Sequence, residues 1–250
     1  MRQFGLIGYP LGHSFSEKYF LEKFRDESII DASYKNYPIK SIDELPGLIE
    51  GISNLLGLNI TIPFKKDVIR LLDQIDEEAA NAGAVNVIKI IRRNDKLFLK
   101  GFNSDIYGFR ESLKPVLDSN VKQAIVLGTG GSSSAVAYVL ASMKIPVIFV
   151  SRNIKENCIT YNDVTEELVS SSHLIINTTP LGMFPETDKK PEIPYHALTP
   201  DHILYDLIYN PAETLFLKEG KKRGCRIING LEMLKLQAEK SWQIWNDPSV

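Results

Sequence analysis

The chain has little of several features that mark specialised classes of protein. Its 250 residues include only two cysteines, Cys158 and Cys225, and neither belongs to a CxxC pair or lies near a suitable histidine. This excludes a disulfide-rich scaffold and argues against a metal site, so we expect no bound metal. A formal net charge of −2 gives no reason to expect nucleic acid or an anionic membrane surface as a partner.

Long apolar runs are also missing. No segment approaches the roughly 18 consecutive apolar residues of a membrane span, and the first apolar run is too short for a secretory signal. We therefore expect a cytoplasmic protein, and two widely separated cysteines fit a reducing compartment. The composition, 44% hydrophobic and 24% charged, is that of an ordinary globular protein, and the length allows one large domain or two medium ones.

What the chain does have is an alternation of short apolar segments and helical patterns along almost its whole length. Residues 3–8 predict a strand, residues 16–27 predict a helix, and a second series of the same kind fills the later half. Residues 84–103 differ, because they predict a hairpin that turns at Asn94 and Asp95. Strands that alternate with helices predict an α/β protein with parallel sheets.

The strongest local signal is the sequence VLGTGGSS at residues 126–133, between a predicted strand and a predicted helix. This is the context of a dinucleotide-binding turn, in which Gly128 permits the tight turn and Gly130 lets the backbone approach a pyrophosphate. The amide groups of the helix N-terminus then face the phosphate. The third position of the fingerprint holds Ser133, and a glycine-rich turn without a ligand stays an open alternative.

The next predicted strand ends in Ser151, Arg152 and Asn153, with Lys155 just beyond. NAD sites usually place an acidic residue here for the ribose 2′-hydroxyl, whereas a guanidinium can bind a 2′-phosphate through two hydrogen bonds. These residues therefore favour NADP over NAD. The alternative is an arginine in a solvated loop.

The stretch NITIPFKKD, residues 59–67, reads as the end of a strand that Pro63 stops, because proline donates no ladder hydrogen bond. Successive side chains of a strand point to opposite faces, so Asn59 and Thr61 point together and Lys65 could lie close to them. This pattern indicates either a solvated strand end or a small polar pocket.

Polar residues also stand at other predicted element ends. Ser14 and Ser16 open a helix and Asp105 opens another, so each could be an N-cap, although two hydroxyls at a positive helix end could also hold a carboxylate. Asn86 begins a strand, where asparagine is unfavourable. Gln237 lies on an otherwise apolar helix face, where it needs a polar partner.

Taken together, these motifs resemble the shikimate dehydrogenase family, whose members reduce 3-dehydroshikimate to shikimate with NADPH. The likeness runs nearly the whole length of the chain. It rests on segments that occur in one order: GYPLGHSFS, NITIPFK, GAVN, NSD, GTGGSS, SRN, INTTPLGM, YDLIY and NGLEMLKLQ.

The resemblance implies a role for each matching residue. Lys65 and Asp105 would be the catalytic pair. The substrate would be bound by a set of mostly polar side chains: Ser14, Ser16, Asn59, Thr61, Asn86, Tyr209 and Gln237. NADP would be bound by Gly128, Gly130, Gly131 and Ser132 at the pyrophosphate, Ser151, Arg152 and Lys155 at the 2′-phosphate, and Thr178, Leu207, Gly230 and Met233 at the nicotinamide.

The family fold implies two α/β domains. Residues 1–104 would bind the substrate, with the last helix, 230–250, packed back on them, and residues 105–229 would form a Rossmann domain for NADP. The substrate would lie in the cleft between the domains. The resemblance also implies an oxidoreductase of aromatic amino acid biosynthesis that acts as a monomer or homodimer.

Four positions depart from the family pattern. Glu17 stands where proline is usual, Val87 where threonine is usual, and Ser104 and Ile106 flank Asp105 where threonine and glycine are usual.

Two alternatives stay open. One is a quinate or dual quinate/shikimate dehydrogenase, and the other is an inactive nucleotide-binding sensor, against which the intact Lys65 and Asp105 count.

Overall fold

The computed structural model describes residues 1–11, 14–94, 96–118, 120–154 and 156–249. The chain folds into two compact units, one of residues 1–108 with 235–250 and the other of residues 109–234. The sequence predicted boundaries after residues 104 and 229. No helix in the described ranges combines the length and the apolar character that crossing a bilayer demands.

The first unit contains a six-stranded sheet of mixed direction. Its strands are β1 (Arg2–Gly8), β2 (Ala32–Pro38), β3 (Leu55–Ile60), β4 (Gln74–Ile75), β5 (Val87–Arg93) and β6 (Lys96–Phe102). They lie in the order β2-β1-β3-β5-β6-β4, and β1 runs parallel to both of its neighbours. The sheet is mixed because β5 pairs antiparallel with β6, its partner in the predicted hairpin, and with β3.

Short helices connect these strands. They are α1 (Phe15–Asp26), α2 (Leu45–Gly51) after a 3₁₀ turn at Ile42–Glu44, a second 3₁₀ turn at Asp67–Leu71, and α3 (Glu77–Ala82). Helix α4 (Ser104–Leu113) follows β6 and continues into the second unit. One core cluster of this unit packs β3 and β5 residues such as Leu58 and Ile88 against Leu45 and Ile49 of α2. Strand β3 ends two residues earlier than predicted, so Ile62 is 68% exposed.

The second unit contains a sheet of six parallel strands. They are β7 (Ala124–Leu127), β8 (Val147–Ser151), β9 (Cys158–Thr160), β10 (Leu174–Asn177), β11 (Ile203–Asp206) and β12 (Arg226–Ile228). Their order, β12-β11-β10-β7-β8-β9, is the Rossmann order read from one edge. Strand β9 is absent from the sequence prediction because it has only three residues, all half-buried.

The helices of this part of the chain are α5 (Gly131–Ser142), α6 (Glu166–Ser171), α7 (Leu215–Lys221) and α8 (Leu231–Asn246), with 3₁₀ turns at Tyr161–Asp163 and Tyr195–Ala197. The later part of α8 packs on the first unit, as predicted. Trp245 stacks on Phe4 with ring centroids 4.8 Å apart, and its indole N–H donates to the Ile88 carbonyl at 3.0 Å.

Candidate active site

The first unit brings Lys65 and Asp105 into direct contact. The Lys65 Nζ atom lies 2.6 Å from Asp105 Oδ2, and the two side chains are only 12% and 10% exposed. Lys65 lies in the turn after β3, and Asp105 lies in the first turn of α4. Each buried charge would be costly in free energy without the other. The contact therefore holds both side chains in place.

Asn103 fixes the start of the helix that carries Asp105. Its Oδ1 accepts the Asp105 N–H at 3.1 Å, so Asn103 is the capping residue and Asp105 is not. Its Nδ2 donates to the Ala84 carbonyl at 2.9 Å, and the adjacent Val85 N–H donates to the Lys65 carbonyl at 2.8 Å. Residues 84–85 therefore support both Lys65 and the start of the helix that carries Asp105.

Asn86 and Gln237 meet at Ser104. The Asn86 Oδ1 atom accepts the Ser104 N–H at 2.7 Å, and the Ser104 hydroxyl lies 3.2 Å from Gln237 Oε1 and 3.1 Å from the Ser241 hydroxyl. All four side chains are buried. The sequence predicted that Gln237 needs a polar partner, and the structure provides Ser104, which lies 133 positions earlier in the chain.

Asn59 is engaged mainly by other side chains. Its Oδ1 accepts the Tyr34 hydroxyl at 2.8 Å, and its Nδ2 donates to Ser241 Oγ at 2.9 Å. Burial raises the pKa of Tyr34 well above its usual value, although a hydrogen bond with Ser16 opposes this shift, so the phenol stays neutral. Asn59 thus contacts residues that sequence reasoning missed, because nothing in a single strand shows where a buried tyrosine places its hydroxyl.

Ser14 is the N-cap of α1. Its Oγ accepts the Glu17 N–H at 3.1 Å and donates to Asn36 Oδ1 at 2.8 Å. The Asn36 amide in turn donates to Glu17 Oε2 at 2.7 Å, so the unusual Glu17 has a partner. The capping alternative holds for Ser14, and a role toward the substrate stays a prediction, as it does for Thr61, which follows β3 and is half-buried.

In the second unit the tight turn predicted at Gly128 is present. Gly128 has φ +109°, and a Cβ added there would lie 2.7 Å from Thr178 Oγ1, so only glycine fits. A Cβ at Gly130 would meet nothing within 4 Å, so this backbone borders open space. Gly130 is the N-cap of α5 and makes no side-chain cap bond, while Gly131 and Ser132 form its first turn. The hydroxyl of Ser133, the third position of the fingerprint, donates to the Gly130 carbonyl.

The end of β8 carries the residues predicted to select NADP. Ser151 is buried and its Oγ accepts the Asn153 N–H at 3.4 Å, whereas Arg152 is exposed. The three residues that follow Ser151, which are Arg152, Asn153 and Ile154, include no acidic side chain, whereas Glu156 stands further along the loop. Lys155 lies outside the described residues. Arg152 lies close enough to Tyr161 to lower the pKa of that phenol, although burial raises it more.

The residues predicted to lie at the nicotinamide follow the carboxyl ends of β10, β11 and β12. The Thr178 hydroxyl donates to the Leu127 carbonyl at 2.7 Å, and the Leu207 N–H donates to the Asn177 carbonyl at 3.0 Å. A Cβ at Gly230 would collide with the Leu207 carbonyl. Met233 is buried. Tyr209, which was predicted to bind the substrate, also follows β11 and is half-buried, and burial raises its pKa. The second unit thus brings this predicted set to one edge of its sheet.

Comparison with known proteins places the chain in a family. Residues 6–88 match the model of the shikimate dehydrogenase substrate binding domain. The chain is 38% identical to a shikimate dehydrogenase (NADP(+)) of Methanococcus aeolicus, over 96% of this chain and 90% of that protein. This chain belongs to the shikimate dehydrogenase family. The family predicted from the motifs is confirmed.

Other members of the shikimate dehydrogenase family agree. The protein of that name from Clostridium beijerinckii is 39% identical over 99% of this chain and 93% of its own length. A shikimate dehydrogenase of Thermus thermophilus, solved in complex with NADP(H) and shikimate, superposes with a TM-score of 0.84 at 29% identity, covering 100% of this chain and 96% of that chain. The predicted two-domain α/β fold is confirmed, while the role of each site residue stays a prediction.

Proposed function

We propose that the chain catalyses the reversible NADPH-dependent reduction of 3-dehydroshikimate to shikimate, a step of aromatic amino acid biosynthesis. The observation that carries this function is the buried Lys65–Asp105 pair, 2.6 Å apart, at the positions that the family motifs assign to catalysis. An inactive sensor would have no need of a buried ion pair, because the cost of desolvating its two charges can equal or exceed their attraction.

Each unit takes one of the two ligands in this proposal. The first unit binds the substrate, and the match of residues 6–88 to a substrate binding domain supports that role. The second unit binds NADP, and its Rossmann strand order with a glycine turn after β7 supports that role. A cytoplasmic location and a monomeric or homodimeric state remain predictions from the sequence.

The residues that would hold NADP fit its three parts. The open backbone at Gly130 and the N-terminus of α5 suit the pyrophosphate, and the exposed Arg152 suits the 2′-phosphate. Thr178, Leu207 and Gly230 would border the nicotinamide. When bound, NADPH supplies the hydride that reduces the ring carbonyl.

The protein's own part in the chemistry is the proton. A carbonyl oxygen becomes an alkoxide as its carbon accepts a hydride, and it must then gain a proton. A Lys65 ammonium in a largely buried position stabilises the developing negative charge and donates that proton. Asp105 orients Lys65 through its 2.6 Å contact. The lysine then regains a proton from water before the next turnover.

Substrate recognition would come from polar groups of the first unit. The hydroxyls of Ser14 and Ser16 stand at the N-terminus of α1, where an anion such as the substrate carboxylate is favoured. Thr61, Asn86 and Gln237 would bind ring hydroxyls. Asn59 would support this set through Tyr34 and Ser241 more than by direct contact.

The decisive experiment is steady-state kinetics of the purified protein with shikimate and quinate, each with NADP and NAD, followed at the nicotinamide absorbance band. We expect shikimate with NADP to give the highest kcat/KM. Equal kcat/KM for quinate would identify a dual-specificity enzyme with the same mechanism. Absence of turnover with every pair would refute the proposed activity and leave the sensor alternative.

A further inference from the structure

Two fully buried polar residues end neighbouring strands of the second unit. Asn177 is the last residue of β10 and Asp206 the last of β11, and they are partners in the parallel register. The Asn177 Nδ2 atom donates to Asp206 Oδ1 at 3.1 Å. The two side chains therefore join the carboxyl ends of both strands beneath the loops at this edge of the sheet.

Each of these side chains also holds the loop after its own strand. Asn177 Oδ1 accepts the Thr179 N–H at 3.0 Å and the Thr179 hydroxyl at 2.6 Å. Asp206 Oδ1 accepts the Ile208 N–H at 3.0 Å, and Oδ2 accepts the Thr214 hydroxyl at 2.6 Å. Thr214 is the N-cap of α7, so Asp206 fixes both ends of the loop between β11 and that helix.

Asp206 is an unusual group for this position. Its hydrogen-bond partners within the described residues are all neutral, and a buried carboxylate without a cation is costly. Burial raises the pKa of Asp206 to about 7, against the opposing effect of its hydrogen bonds. An apolar residue would cost less free energy at this buried position. The presence of Asp206 there therefore points to a role in positioning.

The loops that Asp206 holds contain the residues predicted to border the nicotinamide. Leu207 directly follows Asp206, and its N–H donates to the Asn177 carbonyl. The Gly230 N–H donates to the Ile208 carbonyl at 3.0 Å, and Gly230 has no room for a side chain beside Leu207. A shift at residues 207–208 would therefore pass directly to Gly230.

Resting on the function proposed above, we propose that Asp206 is a positioning residue for hydride transfer. Through Asn177, Ile208 and Thr214 it fixes the loops that bind the nicotinamide half of the cofactor, and it touches neither cofactor nor substrate. Its own hydrogen bonds reach Asn177, Ile208 and Thr214 and none of the residues that follow β8, so the affinity for the adenosine half should depend on it much less.

The test separates the two halves of the cofactor. Asp206→Ala leaves three buried donors without their acceptor, so kcat should fall about ten- to a hundred-fold, since misplacement of a reacting group by about 1 Å has effects of that order. The affinity for NADP in calorimetry should weaken. The affinity for adenosine 2′,5′-bisphosphate, which lacks the nicotinamide, should stay within about twofold of wild type.

Two further variants sharpen the test. Asp206→Asn keeps an oxygen for Asn177 and Ile208, so it should retain most turnover. Thr214→Val keeps the shape and removes one hydrogen bond, so it should show a smaller loss of kcat, and it serves if the alanine variant does not fold. Thr165→Ala, which removes the N-cap of α6 in the same unit, should lower Tm and leave kcat unchanged.

Several outcomes would overturn this inference. One is a parallel loss of affinity for NADP and for adenosine 2′,5′-bisphosphate in Asp206→Ala, which would show a merely structural role. Another is wild-type kcat in Asp206→Ala or Thr214→Val, and a third is an Asn variant as impaired as the alanine variant. If the wild-type protein does not oxidise shikimate, the proposed function fails, but the two binding affinities still test the positioning.

Discussion

At the scale of single residues, Lys65 has the most demanding role and the simplest test. We expect Lys65→Ala to lower kcat by about 10²- to 10⁴-fold, because it removes a positioned proton donor. The dissociation constant for shikimate should change much less. Lys66→Ala is the matched control, since Lys66 is the next residue and is exposed. Near-normal kcat in the Lys65 variant would show that another group supplies the proton.

Ser14 combines two roles that a single alanine substitution cannot separate. Loss of its cap would cost about 1 kcal/mol of stability, and loss of a hydrogen bond to a carboxylate would raise KM by roughly ten- to a hundred-fold. Ser14→Asp separates them, because aspartate caps helices well but repels an anion. Aspartate keeps the cap but loses the hydrogen bond that Ser14 donates to Asn36, so Ser14→Asp should lower Tm less than Ser14→Ala does and should raise the shikimate KM strongly. An unchanged KM would leave only the capping role.

Asp206 also predicts a pH dependence of stability. Its pKa is raised from 3.8 to about 7 by burial, so between those values the folded protein binds a proton that the unfolded chain has released. Stability from this group is fully present below about pH 4 and is lost as pH rises toward 7, by at most about 4 kcal/mol. Tyr195 faces Asp206 but stays neutral, because burial raises its pKa.

The measurement is Tm from pH 4 to 8 for the wild type and Asp206→Asn, whose amide does not titrate. Subtracting the variant's profile removes the contribution of every other group. We expect the difference in Tm to favour the wild type most at the acidic end and to level off above pH 7. Parallel profiles would contradict a raised pKa for Asp206.

At the scale of elements, we expect the cofactor preference to depend on the loop after β8. Arg152→Ala should raise the KM for NADP by roughly ten- to a hundred-fold, because a hydrogen bond to a charged group contributes about 1.5–3 kcal/mol. The KM for NAD, which has no 2′-phosphate, should change little and is the internal control. A wild-type protein that uses NAD as well as NADP would contradict this interpretation of the sequence SRN.

Elements with a clear period were predictable from the sequence, and very short ones were not. The β5–β6 hairpin and the turn between β7 and α5 follow from alternation and from glycine spacing. Strands β4 and β9 have two and three residues, too few to show a period. They form because a neighbouring strand, β6 for one and β8 for the other, offers free backbone groups.

The same limit applies to the site. Residues with chemical signatures, such as Lys65 and Arg152, could be named from their motifs. Their supporting residues could not, because the contacts are set by folding: Asn59 meets Ser241 across 182 positions, and Asn177 meets Asp206 across 29. A polar residue at a strand end was the available signal for Asp206, but it does not identify a partner.

At the scale of the whole molecule, the end of the chain completes the first unit, and this predicts separable effects on the two ligands. Trp245 stacks on Phe4, lies 6.3 Å from the Tyr34 ring and donates to the Ile88 carbonyl. All of these partners belong to the first unit. Since Tyr34 donates to Asn59, Trp245 lies behind the side chains proposed to bind the substrate.

Trp245→Ala should therefore destabilise the protein by about 3–5 kcal/mol, the usual cost of removing a buried tryptophan. It should raise the shikimate KM, because Tyr34 loses a neighbour that holds its ring. The affinity for adenosine 2′,5′-bisphosphate should stay near the wild-type value at a temperature where the variant is folded, since the second unit is the one proposed to bind that ligand. Trp242→Ala is the matched control. Its ring also lies beside Phe4, but among the ring pairs of the described chain it makes none with Tyr34. Equal losses of affinity for shikimate and for the bisphosphate in Trp245→Ala would show that the two units do not bind their ligands independently.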